Sequence, residues 1–238
     1  YNINHNQPLT KIYQTGKVYR HTSPGQLPSE IEHLTLAVSE FENSIWWRTT
    51  DSIIDFYYLK GMVTSLFQYL GLNPPQFSVS KFPGFHPEIQ AGIRVVDQEI
   101  GCIGLITDTI TQSYSIRKNV YVADLNLETL KTLAIGKETF FSTLSKFPAI
   151  ERDISFMAGI AVPLQDIETT IRQLSSKIMD DIIVKDIYTG QSDQTQQKAV
   201  TLRLVFRAPD RTLTDQEINK ITEKIRLTLM EKFNIILR

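Results

Sequence analysis

Two arginines in an apolar segment have the residue type and spacing for binding chemistry. If residues 198–208 form a β-strand, Arg203 and Arg207 fall on one face with Thr201 and Val205, because side chains alternate between the faces of a strand. The opposite face would carry apolar side chains: Val200, Leu202, Leu204 and Phe206. A guanidinium group donates hydrogen bonds in a planar fork that suits carboxylates and phosphates. The segment therefore predicts one buried face and one face suited to binding, although a plain solvated sheet face has the same pattern.

No group of residues has the spacing expected for catalysis or metal binding. The single cysteine, Cys102, cannot form an internal disulfide or a cysteine-built metal site. The four histidines lack the spacing of known metal motifs; they are His5, His21, His33 and His86. His86 has no cysteine, serine or carboxylate partner at any motif spacing. The sequence therefore predicts no catalytic residue, no metal ligand and no cofactor held by this chain.

Charge and hydropathy limit the function classes further. The 238 residues carry a net charge of −1, so no overall basic field would capture nucleic acid without specificity, and any such role must depend on a local surface. No apolar run approaches the ~18 residues of a membrane span, and no charged-then-apolar signal peptide leads the chain. We expect a cytoplasmic protein that does not contact a membrane.

The second half of the chain predicts a compact order of elements, β-α-β-β-α-β. The predicted segments are a strand over 152–162, a helix over 163–176, strands over 180–190 and 198–208, a helix starting after Thr214, and a strand over 234–238. This order is typical of a ferredoxin-like domain, in which both helices cover one face of a four-stranded antiparallel sheet. Thr214 and Glu217 have capping-box spacing, which predicts a well-defined start for the second helix.

The first half predicts strands mixed with helices. The predicted strands lie over 10–21, 33–40 and, as a pair, 91–106; the predicted helices lie over 53–72 and 124–134, and residues 135–152 form a linker. We expect the second of these helices to begin at Asp124 or Asn126, since both side chains are good N-caps. The fold class predicted for the chain is α+β, with two domains at 1–140 and 146–238.

Several strings carry a family resemblance. In the second half these are SKFPAIERDISF, KDIYTG, LRLVFRAPDRTLTDQEIN and EKFNIILR, and in the first half YNINHN, KIYQTGKVY, DFYYLKGMVTSLFQYLGL, FHPEIQAGI and IGCIGLI. Residues 146–238 resemble the ferredoxin-like anticodon-binding domain of the bacterial phenylalanine–tRNA ligase β-subunit family. Residues 1–140 resemble the class II synthetase-like core of the same subunit, truncated at its N-terminus, so we expect a C-terminal fragment of a longer chain.

The resemblance implies a role in ATP-dependent aminoacylation without catalysis in this chain. A class II motif 2 would carry an arginine followed two positions later by a glutamate, whereas here Thr22 follows Arg20. The family's catalytic α subunit would supply the chemistry with ATP and Mg²⁺, in an α2β2 heterotetramer. The family's Gly-Arg in its FHP loop is replaced by Glu88-Ile89, which leaves the role of that loop open.

The resemblance also implies an anticodon site for phenylalanine tRNA. Carried over position by position, its residues are Ser155, Asp186, Tyr188, Ala199 and Arg238, with Arg203 and Arg207 as additional RNA-facing candidates. Ala199 departs from the serine expected there. Two alternatives use the same order of elements: a small-molecule regulatory module and a generic RNA-binding module.

Overall fold

The structure is a computed structural model in which the chain divides into two compact units, Tyr1–Phe140 and Phe141–Arg238. It describes residues 10–21, 23, 25–39, 54–96, 98–136, 145–189 and 197–237. In these ranges no helix has the length and hydrophobicity needed to cross a membrane.

The first unit is built on a six-stranded antiparallel sheet with helices added to it. Its strands are β1 (Thr10–Arg20), β2 (Ser29–Ser39), β3 (Gln76–Ser78), β4 (Phe85–Val95), β5 (Gln98–Ile106) and β6 (Val120–Asn126). Its helices are α1 (Phe56–Tyr69), α2 (Asp108–Ser113) and α3 (Leu127–Ala134). The order across the sheet is β1-β2-β6-β5-β4-β3. Helix α1 places the fully buried Leu59, Val63 and Phe67 against β5 and β6, as its apolar spacing predicts.

The prediction for residues 124–134 was partly wrong. Residues up to Asn126 belong to strand β6, and the helix begins only at Leu127, where the Asn126 side chain accepts a hydrogen bond from the Thr129 amide at 2.9 Å. Asp124 is not a cap, because its carboxylate lies 2.7 Å from the His33 ring and accepts a 2.7 Å hydrogen bond from Thr35 on the neighbouring strand. Asp124, whose carboxylate is bound by side chains of the neighbouring strand, has the residue type of a helix N-cap but does not act as one. Strand β3 and helix α2 were also missed, since both are short.

The second unit has the ferredoxin-like architecture predicted from the order of its elements. It comprises β7 (Ile150–Gly159), α4 (Leu164–Ser175), β8 (Met179–Thr189), β9 (Gln197–Phe206), α5 (Asp215–Phe233) and β10 (Ile236–Leu237). The strands pair antiparallel in the order β10-β7-β9-β8. Side chains of α4 and α5 share one buried cluster with one face of the sheet, and no helix among the described residues of this unit covers the other face. We call the latter the helix-free face.

Strict alternation along β9 fixes which residues reach the helices. Val200, Leu202, Leu204 and Phe206 are at most 1% exposed and lie in the core with the two helices. The side chains between them are partly exposed on the helix-free face, except Val205, which is also buried. The predicted division of this strand into a buried and an outer face is confirmed.

Helix α5 has the predicted capping box. The Thr214 hydroxyl accepts a hydrogen bond from the Glu217 amide at 3.4 Å, and the Glu217 carboxylate accepts one from the Thr214 amide at 3.1 Å. Arg211 donates to the same carboxylate at 2.9 Å, and Asp215 in the first turn pairs with Arg152 on β7. These contacts lower the pKa of Glu217 to about 2, chiefly through the Arg211 hydrogen bond and then those from Thr214. The start of α5 is thus held by side chains from three segments.

Candidate nucleic-acid interface

Four of the five residues implied by the resemblance lie together on the helix-free face. Thr201 of β9 is paired with Ser155 of β7 on one side and with Asp186 of β8 on the other. Ala199, two residues before it, is paired in the same way with Met157 and Tyr188, and Ile236 of β10 lies beyond Met157. The two rows form a contiguous patch, which we call the open half: Ser155, Met157, Asp186, Tyr188, Ala199 and Thr201.

A β-bulge in β8 decides that Asp186 and Tyr188 point to this face. Val184 is paired with Leu202, but the next pair along the strands joins Asp186 to Thr201, so Lys185 is an extra residue. Because one extra residue shifts the alternation by one position, the side chains after the bulge exchange faces relative to those before it. In an unbroken strand Asp186 would lie on the same side as Val184, which is paired with the core residue Leu202.

The open half offers groups that are free to bind. The Ser155 and Thr201 hydroxyls lie 3.0 Å apart and hydrogen-bond to each other. Within the described part of the chain, neither the Asp186 carboxylate nor the Tyr188 hydroxyl has a hydrogen-bond or ion-pair partner, and Tyr188 is 62% exposed. An exposed aromatic ring beside a free acceptor can stack on an unpaired base and accept a hydrogen bond from its edge.

The other end of the face is occupied by ion pairs. Arg203 forms a two-point contact with Asp153, at 2.8 Å from Nε to Oδ1 and 3.0 Å from Nη2 to Oδ2, and its Nη1 lies 2.9 Å from Glu151 Oε2. The hydrogen bond from Arg203 lowers the pKa of Asp153, and that carboxylate in turn raises the pKa of Arg203. Arg203 lies on the predicted face, but its guanidinium group already contacts the carboxylates of Asp153 and Glu151.

Arg207 is held near the same end by Asp180. Its Nε lies 2.9 Å from Asp180 Oδ2, but the N–H does not point at this oxygen, so the contact is electrostatic and the buried Nε makes no hydrogen bond in the described structure. Its backbone amide donates to the Ile178 carbonyl at 2.7 Å. We call Glu151, Asp153, Asp180, Arg203 and Arg207 the ion-paired half.

One predicted residue cannot be placed, and three neighbours were missed. Arg238 lies outside the described residues, directly after β10. Met157 and Thr201 belong to the open half and Ile236 lies beside it, but none of the three was among the predicted binding residues. Alternation had placed Thr201 on this face, and its position opposite Ser155 could have been found by pairing the predicted strands 152–162 and 198–208 in antiparallel register.

The first unit holds the single cysteine of the chain, Cys102, on strand β5. Burial, followed by the nearby Asp124 charge, raises the pKa of the Cys102 thiol to about 11, so it stays protonated at neutral pH and is a poor nucleophile. Across the described ranges, no group of three or more His, Cys, Asp or Glu side chains is arranged to hold a metal ion.

Comparison with known proteins matches both units. Residues 1–127 match the family model described as the phenylalanyl tRNA synthetase beta chain CLM domain, and residues 145–238 match the ferredoxin-fold anticodon binding domain. Over the whole chain, the identity is 30% to the phenylalanine–tRNA ligase beta subunit of Streptococcus pneumoniae, and 32% to those of Clostridium tetani and Lactobacillus johnsonii. The chain spans about 30% of the length of these relatives. It belongs to the phenylalanyl-tRNA synthetase β-chain family.

Proposed function

We propose that this chain recognises the anticodon of phenylalanine tRNA and scaffolds a catalytic α subunit during ATP-dependent aminoacylation. The observation that carries the proposal is the open half. It joins an exposed tyrosine to a carboxylate that has no partner among the described residues, on the helix-free face of an anticodon-binding fold. ATP and Mg²⁺ belong to the α subunit of an α2β2 assembly that works in the cytoplasm, and this chain holds neither.

Each residue of the open half has a role that its chemistry allows. The Tyr188 ring stacks on an unpaired base, while the Asp186 carboxylate accepts a hydrogen bond from a base amino group. The small Ala199 side chain, paired with Tyr188, leaves room for the base above the sheet. Ser155 presents a hydroxyl, and Arg238 supplies a guanidinium fork to a base or a phosphate.

Arg203 and Arg207 are secondary contacts in this proposal. Both are ion-paired in the structure, so an RNA phosphate must compete with Asp153, Glu151 or Asp180 for them. We therefore expect a smaller contribution from either arginine than from Tyr188.

The scaffolding role is supported by an apolar surface on the first unit. A groove with a volume of about 850 Å³ lies between β1, β2 and α1, with Tyr13, Leu36, Met62 and Tyr69 in its lining. Tyr13 and Tyr69 are 77% and 88% exposed. Large apolar side chains that lie together at the surface usually mark an interaction surface. Tyr13→Asp should reduce co-purification of the α subunit, whereas unchanged recovery would remove this groove from the interface.

Steady-state charging by the assembled αβ enzyme tests the anticodon site. Tyr188→Ala and deletion of Arg238 should each raise the Michaelis constant for phenylalanine tRNA at fixed salt. Tyr188→Phe is the matched control, because it keeps the stacking surface. Normal Michaelis constants for both Tyr188→Ala and the Arg238 deletion would overturn the site.

Pyrophosphate exchange tests the division of labour between the subunits. The purified 238-residue chain should show only background phenylalanine-dependent exchange of pyrophosphate into ATP. Exchange above background that survives removal of contaminating synthetase would show that the chain itself is catalytic.

A further inference from the structure

Lys185 is the residue that the β8 bulge adds to the strand. It lies between Val184, which is paired with Leu202, and Asp186, which is paired with Thr201, and its side chain is exposed. A bulged residue has no partner on the neighbouring strand, so its side chain is not fixed by a cross-strand pair. The bulge thus places a lysine directly beside the open half.

The charge of Lys185 acts on the helix-free face. Asp153 belongs to that face, since it is paired with Arg203 on β9. The pKa of Asp153 is lowered first by the Arg203 hydrogen bond, and the Lys185 charge lowers it further. Lys185 follows Val184, whose partner Leu202 lies in the core, so alternation places Lys185 on the same side of the sheet as Asp186 and Tyr188.

Lys185 is also the available cation among the described residues of strands β7, β8 and β9. Arg152 pairs with Asp215, and Arg203 pairs with Asp153 and Glu151. Lys198 donates to the Val162 carbonyl at 2.6 Å, and burial lowers its pKa. In this part of the chain Lys185 has no carboxylate within ion-pair distance.

We propose that Lys185 binds a backbone phosphate of the RNA strand whose base stacks on Tyr188. The two residues are three positions apart on one strand, or about 10 Å at ~3.3 Å per residue. An ammonium on a flexible stem binds a phosphate as a point charge without reading sequence. The inference rests on the proposed function, because it requires RNA at the open half.

The salt dependence of binding tests this contact. The dissociation constant for phenylalanine tRNA would be measured with the assembled αβ enzyme from low to high salt. Lys185→Ala should reduce the slope of log affinity against log salt by about 0.7, as expected for one phosphate contact to a single strand. The same slope corresponds to about fourfold weaker binding at 0.15 M salt.

Two further variants separate charge from backbone shape. Lys185→Arg keeps the charge and should keep the slope. Deletion of Lys185 should reduce the slope as Lys185→Ala does, because removing the extra residue leaves Asp186 opposite Thr201 in a regular ladder. Lys224→Ala is the matched control, since Lys224 is exposed on helix α5, away from the helix-free face, and should leave the slope unchanged.

Comparing Lys185→Ala with Tyr188→Ala distinguishes a failure of the phosphate contact from a failure of the whole anticodon site. Tyr188→Ala should weaken binding without changing the slope. If Lys185→Ala keeps the wild-type slope while Tyr188→Ala weakens binding, the phosphate contact is wrong and the anticodon site stands. If neither variant changes binding, both proposals fail.

Discussion

The two halves of the helix-free face differ although they share a strand and a core. Strand β9 supplies Thr201 and Ala199 to the open half and Arg203 to the ion-paired half, and Leu202 is buried beneath both. The difference comes from the neighbouring strand, where β7 places Asp153 beside Arg203 but Ser155 beside Thr201. Whether a polar side chain can bind a ligand therefore depends on its cross-strand partners more than on its own type.

The residues expected to contribute most to RNA binding are not those that residue type alone would suggest. Arginine is the most attractive RNA-binding residue in a sequence, but Arg203 and Arg207 already have acidic partners. Tyr188 and Asp186 have no side-chain partner among the described residues and lie two positions apart on the edge strand β8. Substitutions in the core and in helix α5 should change the stability of both halves, whereas substitutions on the helix-free face should change RNA binding by one half.

The largest expected effect is on the shared support. Leu202→Ala should lower the free energy of unfolding by about 2–5 kcal/mol, because it leaves a cavity under both halves. Leu227→Ala on α5 is the control, since Leu227 is 52% exposed and should change stability little. Urea unfolding of the chain measures both. Equal stability of the two variants would mean that Leu202 is not part of a tightly packed core.

Removing the cap of α5 should have the next largest effect. Thr214→Ala should cost about 1 kcal/mol, because the Glu217 amide loses its hydrogen-bond acceptor. RNA binding should be unchanged, since α5 lies on the other side of the sheet. Thr214→Ser restores the hydroxyl and should restore most of the stability. Wild-type stability in Thr214→Ala together with weaker RNA binding would make Thr214 a contact residue.

Acidic pH should weaken the same helix start. The pKa of Glu217 is lowered from an ordinary value of 4.5 to about 2, so its stabilising contribution is complete above pH 4.5 and is lost as the pH falls to about 2. Glu217→Gln keeps a capping acceptor but loses the charge, and should flatten this part of the stability profile. Thermal unfolding between pH 2 and 5 measures the difference. Parallel profiles for the two proteins would show that Glu217 is not the group responsible.

The smallest expected effect comes from opening the ion-paired half. Asp153→Asn removes the two-point partner of Arg203 and leaves Glu151 as its acidic neighbour. We expect slightly tighter RNA binding, with the salt slope steeper by less than about 0.7, since the arginine becomes only partly available. Ser155→Ala, on the same strand, leaves both acidic partners of Arg203 in place, so it should not tighten RNA binding. Weaker RNA binding by Asp153→Asn would show that the carboxylate itself contacts the RNA.

The sequence predicted the ferredoxin-like unit well because its signals are local. Alternation placed Val200 and Leu202 toward the helices, and the spacing of Thr214 and Glu217 marked the start of α5. Each signal depends on neighbours a few residues away. In the first unit, by contrast, strand β6 was missed because Asp124 is satisfied by His33 and Thr35, which lie about 90 positions earlier.

The open half could be predicted only in part for a similar reason. That Asp186 and Tyr188 share a face follows from their spacing, but which face they share depends on the bulge at Lys185. The ion pairs of Arg203 likewise depend on the register between β7 and β9. Neither the bulge nor the register can be predicted from the composition and periodicity of one strand, because both depend on how two strands pair.

The most direct test compares the two halves in one binding measurement. The dissociation constant for phenylalanine tRNA would be determined with the assembled αβ enzyme at fixed salt for Tyr188→Ala, from the open half, and for Arg203→Ala, from the ion-paired half. Tyr188→Ala should weaken binding about 5-fold to 150-fold, the range for loss of one base stack. Arg203→Ala should weaken it less. Normal binding by Tyr188→Ala, or a larger loss in Arg203→Ala, would contradict the assignment of the RNA site to the open half.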